Sequence, residues 1–306
     1  MRVAVIGAGG VGGYFGGRLA ASGADVHFLA RGRHLQALQN DGLRIDSPKG
    51  NVHVKPVNAT DDPKTIGPVD VVLFTVKLYD LDSALQLLPP LIGPDTVVVP
   101  FQNGVESVDA VTRTVGKPHV AGGTAYVMAV ISEPGVIRHT AMDQLIFGEL
   151  DGRRSARLEG LLAASEKAGF QGILSDHIDV DIWTKFSRLT TFSGMTAVTR
   201  SPMGPLRDDP ELFEMMMTAT REAAGVAAKK GIQLPASFME DTIKIIRNSP
   251  PNTKSSMLED LERGRPLELP WLSGAVARFG HELGVPTPTH QFIAAVLKPF
   301  VRGVRT

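Results

Sequence analysis

A chain of 306 residues can bury two ordinary cores, so two domains are expected. Its 32 basic and 32 acidic side chains cancel, with no basic stripe or acidic tail, which argues against nucleic acid or an anionic membrane as a partner. Cysteine is absent and the eight histidines are scattered without an H-x-x-x-H pair, so disulfides, thiolate nucleophiles and a metal centre are not expected.

The chain opens on a nucleotide-binding pattern. Val3 to Ile6 is apolar without a period of two, which suits a parallel strand buried on both faces. Gly7, Gly9 and Gly12 then fit G-x-G-x-x-G, with Ala8, Gly10 and Val11 between them: the first glycine for the tight turn, the second for close approach to a pyrophosphate, the third for helix packing on the strand. The helix runs to about Ser22, and its amino end favours an anion. A second strand, Val26 to Leu29, leads to Arg31 and Arg33 where an NAD enzyme would place an acidic residue for the ribose diol. Arginine there points to the 2′-phosphate of NADPH. A solvated arginine at a strand end is the plainer alternative.

A short helix to about Asn40 precedes Leu43 to Ile45 and Val52 to Val57, a hairpin expected to extend the sheet. Val69 to Val76 is the next buried strand and ends at Lys77; a helix from Leu81 to Leu88 stops at two prolines. Thr96 to Pro100 runs into Phe101-Gln-Asn-Gly104, and a helix follows to about Val115. Ligands in open parallel sheets sit beyond the carboxyl ends of the strands, where the glycine turn, Arg31, Lys77 and Asn103 all fall. Val120 to Ile131, Gly135 to His139 and Leu145 to Glu149 are expected as an antiparallel tail of that sheet, followed by a helix at Ser155 to Ala168 and a strand at Gly172 to Leu174. The apolar start is too short for a signal peptide and no run approaches the roughly eighteen apolar residues of a membrane span, so a cytoplasmic protein is expected.

Beyond Asp176 helical periodicity takes over, in segments at about 177–199, 208–230, 236–247, 256–263, 267–283 and 289–302. Met215-Met-Met217 reads as core filler. Ile178, Ile182, Lys185, Leu189, Phe192 and Thr196 recur with gaps of 4, 3, 4, 3 and 4, a helical stripe with a lysine in its middle. Either Lys185 snorkels to water from the stripe's edge, or it is a proton donor whose pKa responds to desolvation. Ser256 and Glu259 fit a capping box and Gly264 a helix C′ position, and a serine at a helix start can also present its hydroxyl to a carboxylate.

Together these residues resemble the ketopantoate reductase (2-dehydropantoate 2-reductase) family over nearly the full length. The likeness rests on G-A-G-G-V-G at Gly7 to Gly12, Arg31, T-V-K ending at Lys77, Q-N-G around Asn103, W-x-K ending at Lys185, and S-S-M-L-E-D from Ser255 with R-P-x-E ending at Glu268. It implies an α/β protein with an N-terminal Rossmann-type parallel-sheet domain (1–176) and an all-helical C-terminal domain (177–306), with the active site between them. The implied reaction is NADPH-dependent reduction of the C2 ketone of a small 2-oxo acid, foremost 2-dehydropantoate to pantoate in pantothenate biosynthesis. The resemblance makes Lys185 the proton donor and Glu268 the residue that closes the site beside the cofactor. It brings Asn103 to substrate and nicotinamide ribose, Ser256 and Ser193 to the substrate, and Lys77 to the cofactor. A homodimer through the helical domain is a further expectation.

The chain departs from the family where members carry asparagines after the catalytic lysine, here Leu189 and Ser193, and where they carry Asp and Asn after the glutamate, here Pro270 and Ser273. These changes spare cofactor and chemistry but thin out the substrate's hydrogen bonds, which leaves the exact acid open. Two other readings stay open as well: an opine-type or hydroxyacid dehydrogenase acting on a different ketone, and a non-catalytic NADPH-binding regulator.

Overall fold

The structure, a computed structural model, describes residues 1–303. Five parallel strands form the first sheet: β1 (Arg2–Ile6), β2 (Asp25–Leu29), β5 (Asn58–Thr60), β6 (Val71–Phe74) and β7 (Val97–Pro100), in the order β5-β2-β1-β6-β7. Helix α1 (Gly10–Ala21) connects β1 to β2 and α3 (Leu81–Leu85) connects β6 to β7, while α2 (Gly32–Asp41) follows β2 and α4 (Ser107–Val115) follows β7. Strands β1, β6 and β7 are nearly all fully buried, as unalternating apolar runs require.

The hairpin of β3 (Leu43–Asp46) and β4 (Val52–Val54) does form, but it does not extend this sheet. It belongs to a second sheet with β9 (Val136–Glu149) and β10 (Gln171–Leu174), on which β8 (Ala121–Glu133) pairs antiparallel with β9. The expected tail at 120–149 is therefore one long hairpin of a separate sheet, with an isolated bridge to the first between Val98 and Val120. Side-chain alternation marks a strand but does not say which sheet it joins.

Helix α1 packs against both sheets. A Cβ at Gly16 would lie 2.7 Å from Val5 and 2.8 Å from Phe28 of the first sheet, whereas one at Gly13 would lie 2.7 Å from Ile137 and one at Gly17 would lie 2.6 Å from Ile45 of the second. Glycines at i and i+4 on two faces let both sheets approach the helix backbone, at the cost of helix propensity, about 1 kcal/mol per glycine relative to alanine. Helix α5 (Ala156–Lys167) completes this half, with Leu158 and Leu161 buried in the same core.

The rest is helical: α6 (Ile178–Thr199), α7 (Met203–Asp208), α8 (Pro210–Lys229), α9 (Phe238–Asn248), α10 (Ser256–Glu262), α11 (Ser273–Leu283) and α12 (Pro288–Leu297). Helix α7 lies in a stretch read as a break, too short to show a period; Asp209 follows it and caps α8 by accepting from the N–H groups of Glu211 and Leu212. The segment expected as one helix at 267–283 is a single turn at Leu269–Trp271 followed by α11, because Pro270 and a non-helical Leu272 interrupt it. Met216 and Met217 fill the helical core, and Met215 is exposed.

By compactness the chain forms two units: Met1–Gln102 with Glu106–Asp181, and Asn103–Val105 with the chain from Ile182 onward. The crossing falls inside α6, beyond the expected 176/177 boundary, because Ser175 Oγ donates to Asp181 Oδ2 at 2.5 Å and holds the first turn of the helix to the sheet unit. Asn103 belongs by its contacts to the helical unit, although it lies just beyond β7, after Phe101 and Gln102.

Candidate active site

The glycine turn has three distinct geometries. Gly7 has φ +98°, a conformation costly for any other residue, and a Cβ there would lie 2.9 Å from Val76 N. A Cβ on Gly12 would lie 2.3 Å from the Gly7 carbonyl oxygen and 2.4 Å from Thr75 Oγ1, so only glycine lets α1 start this close to β1. Gly9 has nothing within 4 Å of its Cβ position, leaving backbone open to a ligand. Gly10 serves packing against the second sheet, since its Cβ position is 2.0 Å from Ala129 O of β8 and no side chain would fit there. Val11 is half-buried and packs on the same core.

Gly7, Ala8 and Gly9 line a cavity of about 230 Å³ together with Arg31, His34 and Asp80. Arg31 is the exposed residue that precedes α2, and among the described residues no ion pair is formed by its guanidinium, which suits it to an anionic ligand. Lys77 stands after β6, at the start of the single turn Leu78–Asp80, and does not line this cavity. His34 and Asp80 are cavity residues that sequence reasoning passed over. His34 could have been found by its place on the first turn of the helix that Arg31 opens.

In the helical unit three predicted residues, far apart in sequence, meet in a hydrogen-bonded chain. Lys185 Nζ donates to Asn103 Oδ1 at 3.1 Å, and Asn103 Nδ2 donates to Glu268 Oε2 at 3.1 Å. Each end of the Asn103 amide is therefore used, which fixes its orientation and links an ammonium to a carboxylate through a neutral group. The turn carrying Asn103 is made by Gly104, at φ +87°. Glu268 is only 4% exposed and sits where Pro270 forces a single helical turn after it. Burial lowers the Lys185 pKa to about 8, and the negative charge of Glu268 opposes that fall. The lysine is thus still protonated at neutral pH but gives up its proton far more readily than one in water.

The apolar stripe around Lys185 is the margin of α6 and not its most deeply buried face: Leu189 and Phe192 are half-buried, while Phe186, Thr190 and Ser193 on other faces are fully buried. Ser193 Oγ finds no partner and is 0% exposed, so Ser193 lies in the helix packing and makes no hydrogen bond to the lysine chain. Ser273 is likewise buried, donating to the Thr190 carbonyl at 3.4 Å.

The expected capping box of Ser256 and Glu259 does not form, because the cap falls one residue earlier, where the third helical residue is Leu258. Ser255 is the N-cap of α10, its Oγ accepting from Leu258 N at 3.1 Å and lying 2.7 Å from Thr196 Oγ1 on α6. Ser256 is the first helical residue and is exposed. Gly264 has φ +63°, and Arg265 N donates to Asp260 O at 2.8 Å, closing the helix as expected for a glycine C′ cap.

Family models described as "Ketopantoate reductase PanE/ApbA" and "Ketopantoate reductase PanE/ApbA C terminal" match residues 3–152 and 177–301. A 2-dehydropantoate 2-reductase of Mesorhizobium japonicum is 32% identical, over 97% of this chain and 97% of its own length. The chain belongs to the ketopantoate reductase family. Another relative, from Bacillus subtilis, described as "Uncharacterized oxidoreductase YkpB", is 32% identical over 98% of this chain and 99% of its own. The crystal structure of a PanE/ApbA family ketopantoate reductase from Ralstonia eutropha superposes with a TM-score of 0.90 at 31% identity, each chain covered to 98%. As a ketopantoate reductase family member the protein is an oxidoreductase, with a Rossmann-like amino-terminal half and a helical carboxyl-terminal half. Among the described residues no helix is long and apolar enough to cross a membrane.

Proposed function

We propose that the protein reduces the C2 ketone of 2-dehydropantoate, or of a closely related 2-oxo acid, to the 2-hydroxy acid with NADPH. The observation that carries this reading is the chain from Lys185 through Asn103 to the buried Glu268. The hydride is supplied by the nicotinamide when the cofactor is bound. Lys185 delivers the proton to the ketone oxygen, and its ammonium stabilises the alkoxide that develops there. Asn103 holds Lys185 in place, and the Glu268 charge keeps it protonated at neutral pH. Exposed Ser256 is the hydroxyl offered to the substrate carboxylate. In the sheet unit, open Gly9 and the turn around it take the pyrophosphate, Lys77 stands beside the cofactor, and Arg31 takes the 2′-phosphate. The reading carries with it a cytoplasmic place in pantothenate biosynthesis. A homodimer through the helical unit is supported by exposed Phe292 and Val296, one turn apart on α12.

NADPH should bind at least tenfold tighter than NADH, about 1.4 kcal/mol, and Arg31→Ala should erase the difference. Titration calorimetry of both cofactors decides this: equal affinities for the intact protein would remove Arg31 from the 2′-phosphate.

A second substrate reading rests on Leu189, a half-buried apolar side chain one helical turn beyond Lys185. An apolar wall discriminates against a missing hydroxyl by only ~1–3 kcal/mol, whereas a site built to pair that hydroxyl rejects the analogue by roughly 10⁴-fold or more. Ketopantoate and its deoxy analogue should therefore have kcat/KM values within about two orders of magnitude of each other. A ketopantoate preference near 10⁴-fold would show that other residues pair the hydroxyl.

A further inference from the structure

His34 stands on the first turn of α2, and nothing in the proposed reaction uses it. Its Nδ1 accepts the backbone N–H of Gly135, in the β8–β9 turn, at 3.1 Å. The ring proton must then be on Nε2, which donates to the carbonyl oxygen of Ala8 at 2.8 Å. Both ring nitrogens are occupied, so a single neutral tautomer bridges the glycine turn, α2 and the second sheet. Burial lowers the His34 pKa, which keeps the ring neutral and the bridge intact at physiological pH.

The bond to Ala8 matters because of the peptide that follows it. The carbonyl of Ala8 and the N–H of Gly9 belong to one planar trans unit and point in opposite directions, so fixing one fixes the other. Gly9 is the motif glycine whose Cβ position faces open space, and Ala8, Gly9 and His34 line the same cavity. A rotated Ala8–Gly9 peptide would present a carbonyl oxygen to an approaching phosphate and withdraw a donor. We propose that His34 is a positioning residue for the cofactor pyrophosphate: by holding the Ala8 carbonyl it sets the direction of the Gly9 N–H.

The inference deepens the reading of this cavity as an NADPH site and rests on it. Its test compares NADPH with adenosine 2′-phosphate, which keeps the adenine, ribose and 2′-phosphate but has no pyrophosphate. His34→Phe preserves a flat ring and removes both nitrogens; His34→Gln keeps an N–H donor. In calorimetric titrations His34→Phe should weaken NADPH by roughly tenfold or more, the size of one hydrogen bond to a charged group, and change adenosine 2′-phosphate by less than about twofold. His34→Gln should recover most of the loss, and kcat at saturating NADPH should stay near the wild-type value. If His34→Phe does not fold, His34→Asn, too short to reach Ala8, carries the same comparison. Unchanged NADPH affinity in the variant, or equal losses for both ligands, would overturn the proposal by making His34 a packing residue alone. A wild-type protein that binds neither ligand would overturn the cofactor reading itself, and the proposal with it.

Discussion

Replacing Lys185 with alanine is expected to lower kcat by roughly 10²–10⁴-fold while NADPH affinity stays within about twofold, the range typical for loss of a positioned general acid. The size follows from the geometry. A snorkelling lysine would reach water, but Lys185 Nζ donates to Asn103 Oδ1 at 3.1 Å, and that amide is held from its other end by Glu268. An ammonium fixed in this way needs no reorganisation when charge develops on a ketone oxygen, which is the condition under which electrostatic stabilisation is largest. The loss should fall on kcat, because the interaction strengthens only as the alkoxide forms. Cofactor binding should be spared, because the glycine turn and Arg31 belong to the other unit. Stopped-flow or steady-state kinetics on a good 2-oxo acid checks this, and an undiminished rate in Lys185→Ala would reduce the lysine to packing.

The second large effect is on pH dependence. Lys185 acts as an acid, so its active form is the protonated one, present below its pKa and lost above it. With that pKa lowered to about 8 by burial, kcat/KM should be level below pH 8 and fall about tenfold for each further pH unit, so that at two units above the pKa it is down about a hundredfold. Glu268→Gln removes the charge that raises the lysine pKa, and the alkaline limb should move to lower pH. A limb near 10.5, the ordinary lysine value, would mean that the proton comes from a group in contact with solvent.

What could be read from sequence is what residue type encodes locally. Gly7 and Gly12 were legible because a positive φ and a close packing demand glycine, and Gly9 because the motif leaves backbone open to a pyrophosphate. Lys185 was legible because a charge interrupts a helical apolar stripe. Its partners were not derivable that way: Asn103 and Glu268 lie 165 positions apart, and only the family resemblance put them together. The bond from Gly135 to His34 was hidden for the same reason, the two being 101 residues apart, although the place of His34 on the first turn of α2 stands in the sequence. The second sheet was missed because strand alternation carries no address, although the doubled glycines of α1, which make room for it, stand in the sequence. Ser255 and Ser256 show a finer limit. Either serine fits a capping pattern, and only the Ser255 contacts with Leu258 and Thr196 decide which one caps and which one is left exposed.

The most direct test of the central claim is NADPH oxidation by the purified protein across a panel of 2-oxo acids that includes 2-dehydropantoate, with the products identified. Consumption of NADPH only when a 2-oxo acid is present, with one 2-hydroxy acid formed per NADPH consumed, is the predicted result. NADPH that binds tightly but is consumed with no 2-oxo acid of the panel would contradict the account and leave a nucleotide-binding protein without this chemistry.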